Sequence, residues 1–271
     1  MSSTNVPSRL ALGAMTFRGR RFEEAVAAAA SSGFDGIGVS VGQVVAALER
    51  GMSPEEMADR VSSHGLRVAE LELVRIGGDP RARHLNELVL DLIPVLTPDR
   101  IHVAAFHGQP EQVAAGLADV CTRARDTTVA FEFMPYSAIR DVADMQSLLQ
   151  TPGCQHVQIV LDVVHFFRSG GQLDQLTPDL CAQVAVVQLS DLLPRGPRID
   201  LAHEARHLRT HPGHGTLDLD GFLRAVSAQG VRPPVTVEPI SDTLEQQPVS
   251  WVAESARVAT TRLLSDAGWV S

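Results

Sequence analysis

Short apolar runs alternate with amphipathic stretches along nearly the whole chain, a pattern typical of repeated strand–helix units. Eight apolar runs predict β-strands: Arg9–Leu12, Gly36–Val39, Arg67–Leu73, Arg100–Ala105, Thr128–Phe133, Val157–Asp162, Val184–Leu189 and Pro234–Glu238. The amphipathic stretches between them predict helices, among them Phe22–Ser32, Pro54–Ser63, Arg81–Leu92, Glu111–Arg125 and Leu219–Ala228. Glycine and proline turn signals separate the two kinds of element.

Eight such units predict an α/β fold, a single (β/α)8 TIM barrel domain over residues 1–271. An open doubly wound sheet is the alternative, but no Gly-x-Gly-x-x-Gly follows the first strand to bind a dinucleotide. The longest irregular segment, Leu192–Gly215, follows the seventh strand and is rich in Pro, Gly, Arg and His. Barrel enzymes build their sites on that side, so we expect this segment to be functional.

Charge and composition narrow the choice of partner and chemistry. The net charge of −9 argues against nucleic-acid binding, which needs a concentrated basic surface. All 23 basic side chains are arginine, which excludes Schiff-base catalysis and a P-loop, since both need lysine. We expect a cytoplasmic protein without a membrane partner. No apolar run is long enough to span a bilayer, the N-terminal residues lack a signal-peptide core, and the three cysteines are scattered.

The last four of the eight predicted strands end in polar residues where an apolar run would otherwise stop. These residues are Glu132, Asp162, Gln188 (with Asp191 beyond it) and Glu238. In a barrel such strand ends converge on one cavity, and carboxylate and amide oxygens suit a single divalent ion such as Mg²⁺, Mn²⁺ or Co²⁺. Alternatively, each acid caps the helix that follows it.

Other polar residues near this mouth are candidates for substrate chemistry. His165, three residues after Asp162, would act there as an acid/base or substrate-binding group, unless it is a histidine with a purely structural role at the rim. Arg75, Arg206 and Arg209 are candidates for holding an anionic substrate, although each alone is an ordinary surface arginine. A tight turn, His211–Gly215, follows Arg209 and is expected to hold it over the mouth.

A competing motif lies in the same segment. His203-Glu204-Ala205-Arg206-His207 fits H-E-x-x-H, which binds zinc in metalloproteases when it lies on a helix. Here we expect it in an Arg- and Pro-rich loop rather than on a long apolar helix. The protease hypothesis is therefore the minor one.

Together these residues form the pattern E…D-x-x-H…[H/Q]-x-x-D…R-x-x-P-G-x-G…E, which runs from Glu132 to Glu238. It resembles the xylose-isomerase-like barrels of sugar isomerases, epimerases and inosose dehydratases. The resemblance implies that Glu132, Asp162 and Glu238 are metal ligands, and that homo-oligomers are possible. Most relatives have a histidine where this chain has Gln188.

A glutamine at that position is similar to bacterial 3-dehydroshikimate dehydratases, and so is the segment Arg206–Leu223. This resemblance implies that His165 is the acid/base residue, and that Arg75 and Arg209 bind the substrate carboxylate. Barrels of this kind remove a proton next to a carbonyl, with Glu132, Glu238 or His165 as the base. Three hypotheses follow: a metal-dependent dehydratase acting on a small oxo-polyol or oxo-acid, a sugar or sugar-acid isomerase or epimerase, and a ligand-binding barrel without catalysis.

Overall fold

Eight parallel strands close into a barrel in the computed structural model, which describes residues 9–78, 80, 82–194 and 199–269. The barrel strands are β1 (Leu10–Leu12), β2 (Gly36–Ser40), β3 (Arg67–Arg75), β4 (Arg100–Ala104), β5 (Thr128–Glu132), β6 (Gln158–Asp162), β7 (Val184–Leu189) and β10 (Val235–Val237). Their order around the barrel is β1-β10-β7-β6-β5-β4-β3-β2. The predicted (β/α)8 barrel is confirmed, and the open-sheet alternative is wrong.

Helices surround the barrel, and all five helices named in the sequence analysis form. The described helices are α1 (Phe22–Ser31), α2 (Val41–Glu49), α3 (Pro54–Ser63), α4 (Arg83–Leu96), α5 (Pro110–Ala124), α6 (Val142–Leu149), α7 (Val163–Arg168), α8 (Pro178–Cys181), α9 (Leu201–His207), α10 (Leu219–Ala228), α11 (Asp242–Glu245) and α12 (Val249–Asp266). The third predicted helix runs four residues further than Leu92 and contains Pro94, while its predicted first residue, Arg81, lies outside the described residues.

The two faces of the strands differ in chemistry. Outward side chains such as Val187 and Leu189 pack with the helices in a large apolar core. Inside the barrel a small apolar layer of Ala130, Val160 and Val186 lies below a layer of charged side chains. Outward burial against helices therefore stabilises the barrel, and the upper interior is left for polar groups.

Two glycines make room for those polar groups on the β1–β2 side of the barrel. A Cβ atom on Gly13 would lie 2.7 Å from Glu238 Oε1, and one on Gly38 would lie 2.9 Å from Glu70 Oε1. Neither separation is tolerable, so any larger residue at these positions would displace a glutamate. Gly13, just after β1, and Gly38 in β2 thus allow Glu238 and Glu70 to fill the interior.

The segment expected to be irregular after β7 contains regular structure. Helix α9 begins at the N-cap Asp200, whose Oδ1 accepts the backbone N–H groups of Ala202 and His203. Strand β8 (Asp191–Leu192) forms a short antiparallel pair with β9 (Arg209–Thr210), which brings the two ends of this segment together. The H-E-x-x-H motif therefore lies on a short helix, and its assignment to a loop is wrong, since capping outweighs the surrounding Pro and Arg. Residues 195–198 lie outside the described residues.

Among the helices that the structure describes, we find none with the length and apolar character needed to cross a bilayer.

Candidate active site at the barrel mouth

Three of the predicted residues lie at or beside the ends of neighbouring strands. Glu132 ends β5 and Asp162 ends β6, while Gln188 pairs with Asp162 from β7. Glu238 follows β10 directly. All four side chains are buried, although they are among the most polar in the protein. Such burial is costly for isolated polar groups, so their partners decide what this layer can do.

Glu132, Asp162 and His165 form one group whose ligand atoms lie within 4.8 Å of one another. Asp162 is the N-cap of α7, and its Oδ1 accepts the His165 backbone N–H at 2.9 Å. This cap returns the His165 side chain to the same strand end, with Nε2 3.5 Å from Glu132 Oε1. The D-x-x-H spacing thus brings a carboxylate and an imidazole together.

Arg209, in the segment that follows β7, contacts both Asp162 and His165 of this group. Its guanidinium donates to Asp162 Oδ2 at 2.6 Å and to Ser190 Oγ at 3.1 Å, and it lies 3.3 Å from His165 Nε2. Burial opposes ionisation of Asp162, but Arg209 and His165 outweigh it and lower the pKa of this carboxyl. Asp162 is therefore ionised at neutral pH. Arg209 therefore lies beside this group, and its carboxylate partner here is Asp162.

The loop that holds Arg209 is organised by Asp191. The Asp191 carboxylate accepts backbone N–H groups from Leu192, Gly213, Gly215 and Leu217 at 2.8–3.1 Å. These bonds fix the predicted His211–Gly215 turn beneath the rim. Asp191 has a role in loop structure and is not part of the group formed by Glu132, Asp162 and His165.

Glu238 belongs to a second acidic group, which the sequence analysis missed. Its ligand atoms lie within 4.8 Å of those of Glu70 and Glu72 from β3. Glu238 Oε1 also accepts the Met15 N–H at 3.0 Å. Burial, followed by repulsion from Glu72 and Glu70, raises the pKa of Glu238 well above its ordinary value. The signal for the missed pair was two glutamates at alternate positions of an apolar strand, in Val-Ala-Glu-Leu-Glu-Leu.

His102 on β4 connects the two acidic groups. Its Nε2 is bonded to Glu132 Oε2 at 3.0 Å, and its Nδ1 lies 3.0 Å from Glu72 Oε2. Burial alone would lower the pKa of His102, but Glu132 and Glu72 outweigh burial and raise the pKa well above its ordinary value. His102 is therefore an imidazolium at neutral pH.

Below this histidine, a buried arginine supports the second acidic group. Arg100, two residues before His102 on the same face of β4, donates to Glu70 Oε2 at 3.0 Å and to Thr236 Oγ1 at 2.9 Å. Burial raises the pKa of Glu72, and His102 only partly offsets that effect. The two acidic groups thus form one continuous buried network across β3, β4, β5 and β10.

The donor set and charge of this network fit a divalent cation. Both amide atoms of Gln188 are buried without a hydrogen-bond partner among the described residues, as are Glu70 Oε1 and Glu72 Oε1. The charged members are five carboxylates, two guanidiniums and one imidazolium: Glu70, Glu72, Glu132, Asp162, Glu238, Arg100, Arg209 and His102. With every group ionised, two negative charges remain. Oxygen donors with such an excess suit a hard or borderline cation.

The two remaining predicted arginines lie together at the rim. Arg75 and Arg206 each place a guanidinium 5.5 Å from the Phe106 ring centroid, and Arg206 also lies 5.2 Å from the ring of Tyr136. Both arginines are exposed, and no carboxylate of the described residues lies within 4.0 Å of either guanidinium. Tyr136 also meets His165 edge-on at 5.5 Å. Aromatic rings thus hold two positively charged side chains at the rim.

The H-E-x-x-H motif serves the architecture of this rim. Glu204 is fully buried and accepts two hydrogen bonds from Arg168, at 2.6 Å to Oε2 and 2.9 Å to Oε1. His203 and His207 stack on each other at 4.7 Å, and His207 is bonded to Asp242 at 3.0 Å. Because Glu204 is used in this bidentate pair, the motif anchors α9 and offers no protease-like zinc site.

Two known proteins are similar to this chain in sequence. A 3-dehydroshikimate dehydratase of Pseudomonas aeruginosa is 25% identical over 241 residues, which cover 83% of this chain and 37% of that protein. An inosose isomerase of Halalkalibacterium halodurans is 22% identical over 188 residues, which cover 68% of this chain and 64% of that protein. The chain thus spans less than two thirds of the length of either relative.

Solved structures share the fold. The IolI protein with a bound zinc atom superposes with a TM-score of 0.81 at 17% identity, over 96% of this chain and 99% of that one. The sequence model of the family described as xylose isomerase-like TIM barrel matches residues 26–262. The resemblance inferred from the motifs is confirmed, and this chain belongs to the xylose isomerase-like TIM barrel family.

Proposed function

We propose that this protein is a divalent-metal-dependent lyase or isomerase that removes a proton next to the carbonyl of a small oxo-polyol or oxo-acid. One observation carries the proposal: the buried network at the barrel mouth has oxygen donors, more carboxylates than basic side chains and a histidine beside them. Its relatives include a dehydratase and an isomerase, which supports chemistry of this class.

In the proposal, the metal is held by Glu132, Asp162, Gln188 and Glu238. The unpartnered Gln188 amide supports this assignment, because a buried amide oxygen without a hydrogen bond is a free donor. When bound, the ion supplies Lewis acidity that stabilises negative charge on the substrate carbonyl oxygen. Mg²⁺, Mn²⁺, Co²⁺ and Zn²⁺ all suit this set of donors.

His165 is the proposed acid/base residue. Burial lowers its pKa, although Asp162 and Glu132 partly offset that effect, so the imidazole is neutral at pH 7 and can accept a proton. The backbone bond to Asp162 and the edge-on contact with Tyr136 hold its ring in place. A neutral histidine with a fixed orientation meets the requirements for general-base catalysis.

The more specific proposal is dehydration of 3-dehydroshikimate. A base takes the proton next to the ketone, and the hydroxyl at the β-carbon departs with a proton as water. The remaining ring then tautomerises to the aromatic acid protocatechuate. The exposed Arg75 and Arg206 guanidiniums can bind the substrate carboxylate at the rim. A role for Arg209 as a further carboxylate ligand stays a prediction.

The test is to add 3-dehydroshikimate to protein that has been stripped of metal and reloaded with one divalent ion at a time. We expect protocatechuate absorbance to appear only with a loaded ion, and to fall sharply in the Glu132→Gln variant. Arg67→Gln, at the opposite end of the barrel, is the control and should keep activity. If loaded wild-type protein forms no protocatechuate, the dehydratase proposal is wrong.

A sugar or sugar-acid isomerase or epimerase is the second candidate. It is favoured because Glu132 and Glu238 lie on strands separated around the barrel by β6 and β7, in two distinct acidic groups. Two acid/base groups on different sides of a bound substrate are what epimerisation requires. Solvent deuterium entering an inosose or ketose without loss of water would support this candidate. A ligand-binding barrel without catalysis is indicated if no divalent ion binds and none activates turnover.

A further inference from the structure

Strands β3 and β4 carry charged side chains that the family resemblance does not assign. Glu70 and Glu72 alternate along β3, and Arg100 and His102 alternate along β4, so all four point into the barrel. We propose that His102, supported by Glu72, is a positioning residue that orients the Glu132 carboxylate for metal binding. This inference rests on the metal-dependent function proposed above.

The topology places His102 between its two partners. Strand β4 pairs with β3 on one side and with β5 on the other, and His102 is in register with Ala130, two residues before Glu132. The imidazole therefore spans from Glu72 on one neighbouring strand to Glu132 on the other. At 2% exposure it has no access to bulk water that would compete for either carboxylate.

The contacts divide the two oxygens of Glu132 between different partners. Oε2 is bonded to His102 Nε2 at 3.0 Å, whereas Oε1 faces His165 Nε2 at 3.5 Å. With Oε2 held by His102, Oε1 is the oxygen presented towards His165. Outer hydrogen bonds of this kind fix the rotamer of a ligating carboxylate and raise metal affinity.

Glu72 fixes the histidine in turn. Its Oε2 lies 3.0 Å from His102 Nδ1, an ion pair without the alignment of a hydrogen bond. Because both ring nitrogens face carboxylates, rotation of the ring would separate at least one charged pair. Glu72 thus limits the orientations of His102, and His102 limits those of Glu132.

The test uses two substitutions, each of which replaces one ring nitrogen of His102 with an amide and removes the other. Glutamine in His102→Gln places an amide near the former Nε2 and can still donate to Glu132. Asparagine in His102→Asn places its amide near the former Nδ1 and reaches only towards Glu72. We expect His102→Asn to weaken Mn²⁺ and Zn²⁺ binding by about 10- to 100-fold, and His102→Gln to weaken it much less.

Affinity is measured by calorimetric titration or by competition with a coloured chelator, and ligand geometry by the visible spectrum of the Co²⁺-loaded protein. A structural role alone would change the melting temperature of both variants and leave the Co²⁺ spectrum unchanged. Arg67→Gln is the matched control, since Arg67 makes ion pairs with Asp35 and Asp99 at the other end of β3. It should lower stability and leave metal affinity unchanged.

If His102→Asn fails to fold, Glu72→Gln serves instead. It keeps the shape of Glu72 and removes its charge, and we expect a smaller loss of affinity, about 3- to 10-fold. If the wild type binds metal and His102→Asn binds it with the same affinity, the positioning role is overturned but the proposed function is not. The same holds for Glu72→Gln if that variant must be used. A wild-type chain that binds no divalent ion would instead overturn the proposed function, and this inference with it.

Discussion

Replacing Glu238 by glutamine should stabilise the metal-free protein while removing metal binding. Glu238 shares a buried space with Glu70 and Glu72, with ligand atoms within 4.8 Å of one another. Two unit charges at that separation repel by about 3.5 kcal/mol at an effective dielectric constant of about 20. The repulsion cannot destabilise the folded protein by more than the free energy of protonating Glu238. For a carboxyl of ordinary pKa 4.5 at pH 7, that free energy is about 3.4 kcal/mol.

Changes in hydrogen bonding offset part of the stability that the variant gains by losing this buried charge. Glutamine keeps an oxygen for the Met15 N–H, but a neutral acceptor is weaker by about 1 kcal/mol. Its new amide group can donate to the neighbouring Glu70 or Glu72. We therefore expect a net gain of about 1–2 kcal/mol, which corresponds to a rise of about 2–8 °C in melting temperature for a domain of this size.

The dependence on pH follows from the direction of the pKa shift. Because the pKa of Glu238 is higher in the folded state than in the unfolded state, folding takes up protons. Stability from this group is complete below pH 4.5 and is lost as pH rises towards the higher pKa of the folded state. Glu72 and His102, whose pKa values are also raised, act in the same direction. The advantage of the Glu238→Gln variant should therefore be large at pH 7 to 8 and nearly absent near pH 4.5.

The assay is thermal unfolding by circular dichroism, in EDTA and again with Mn²⁺, at several pH values. Glu204→Gln is the matched control. It is the same substitution at another fully buried glutamate, but there Arg168 neutralises the charge, so we expect a loss of about 2 kcal/mol. Added Mn²⁺ should raise the melting temperature of the wild type and leave Glu238→Gln unchanged. A metal-free Glu238→Gln protein less stable than wild type at pH 7, or equally stabilised at pH 4.5, would refute the reasoning.

Three further substitutions test separate parts of the proposed mechanism. His165→Gln should lower kcat by about 10²- to 10⁴-fold while metal content by elemental analysis stays unchanged; equal losses of both would show a structural role. Arg206→Gln should raise KM for an anionic substrate about tenfold and leave KM for a neutral polyol unchanged in steady-state kinetics. Gln188→His should increase affinity for Zn²⁺ relative to Mg²⁺ in competition titrations, because imidazole is the softer ligand; an unchanged ratio would place Gln188 outside the metal site.

The sequence predicted the strands well because their signal is local. An apolar run between turn residues identified the ends of each barrel strand to within two residues, and Asp162 was correctly expected at the end of β6. Helix α12, the longest helix that the structure describes, was not among the named patterns, since small and polar residues interrupt its apolar face. Helix α9 was missed because Pro and Gly elsewhere in the segment concealed a short capped helix.

The partners within the site were decided by tertiary structure. Glu132, Asp162 and Glu238 stood out because each interrupts or ends an apolar run, which is visible in one segment at a time. Whether Glu238 faces Glu132 or the β3 glutamates depends on the space left by Gly13 and on the order of strands around the barrel.

By itself, the sequence determined the alternating strand and helix pattern, the fold class, the absence of lysine chemistry and the acidic strand ends. Only the tertiary structure decided that His102 joins the two acidic groups, that Arg209 pairs with Asp162, and that Glu204 anchors a helix. The physical reason is range. Periodicity and turn chemistry act over a few residues, whereas these charge pairs join residues 30 to 47 positions apart, whose separation is set only when the barrel closes.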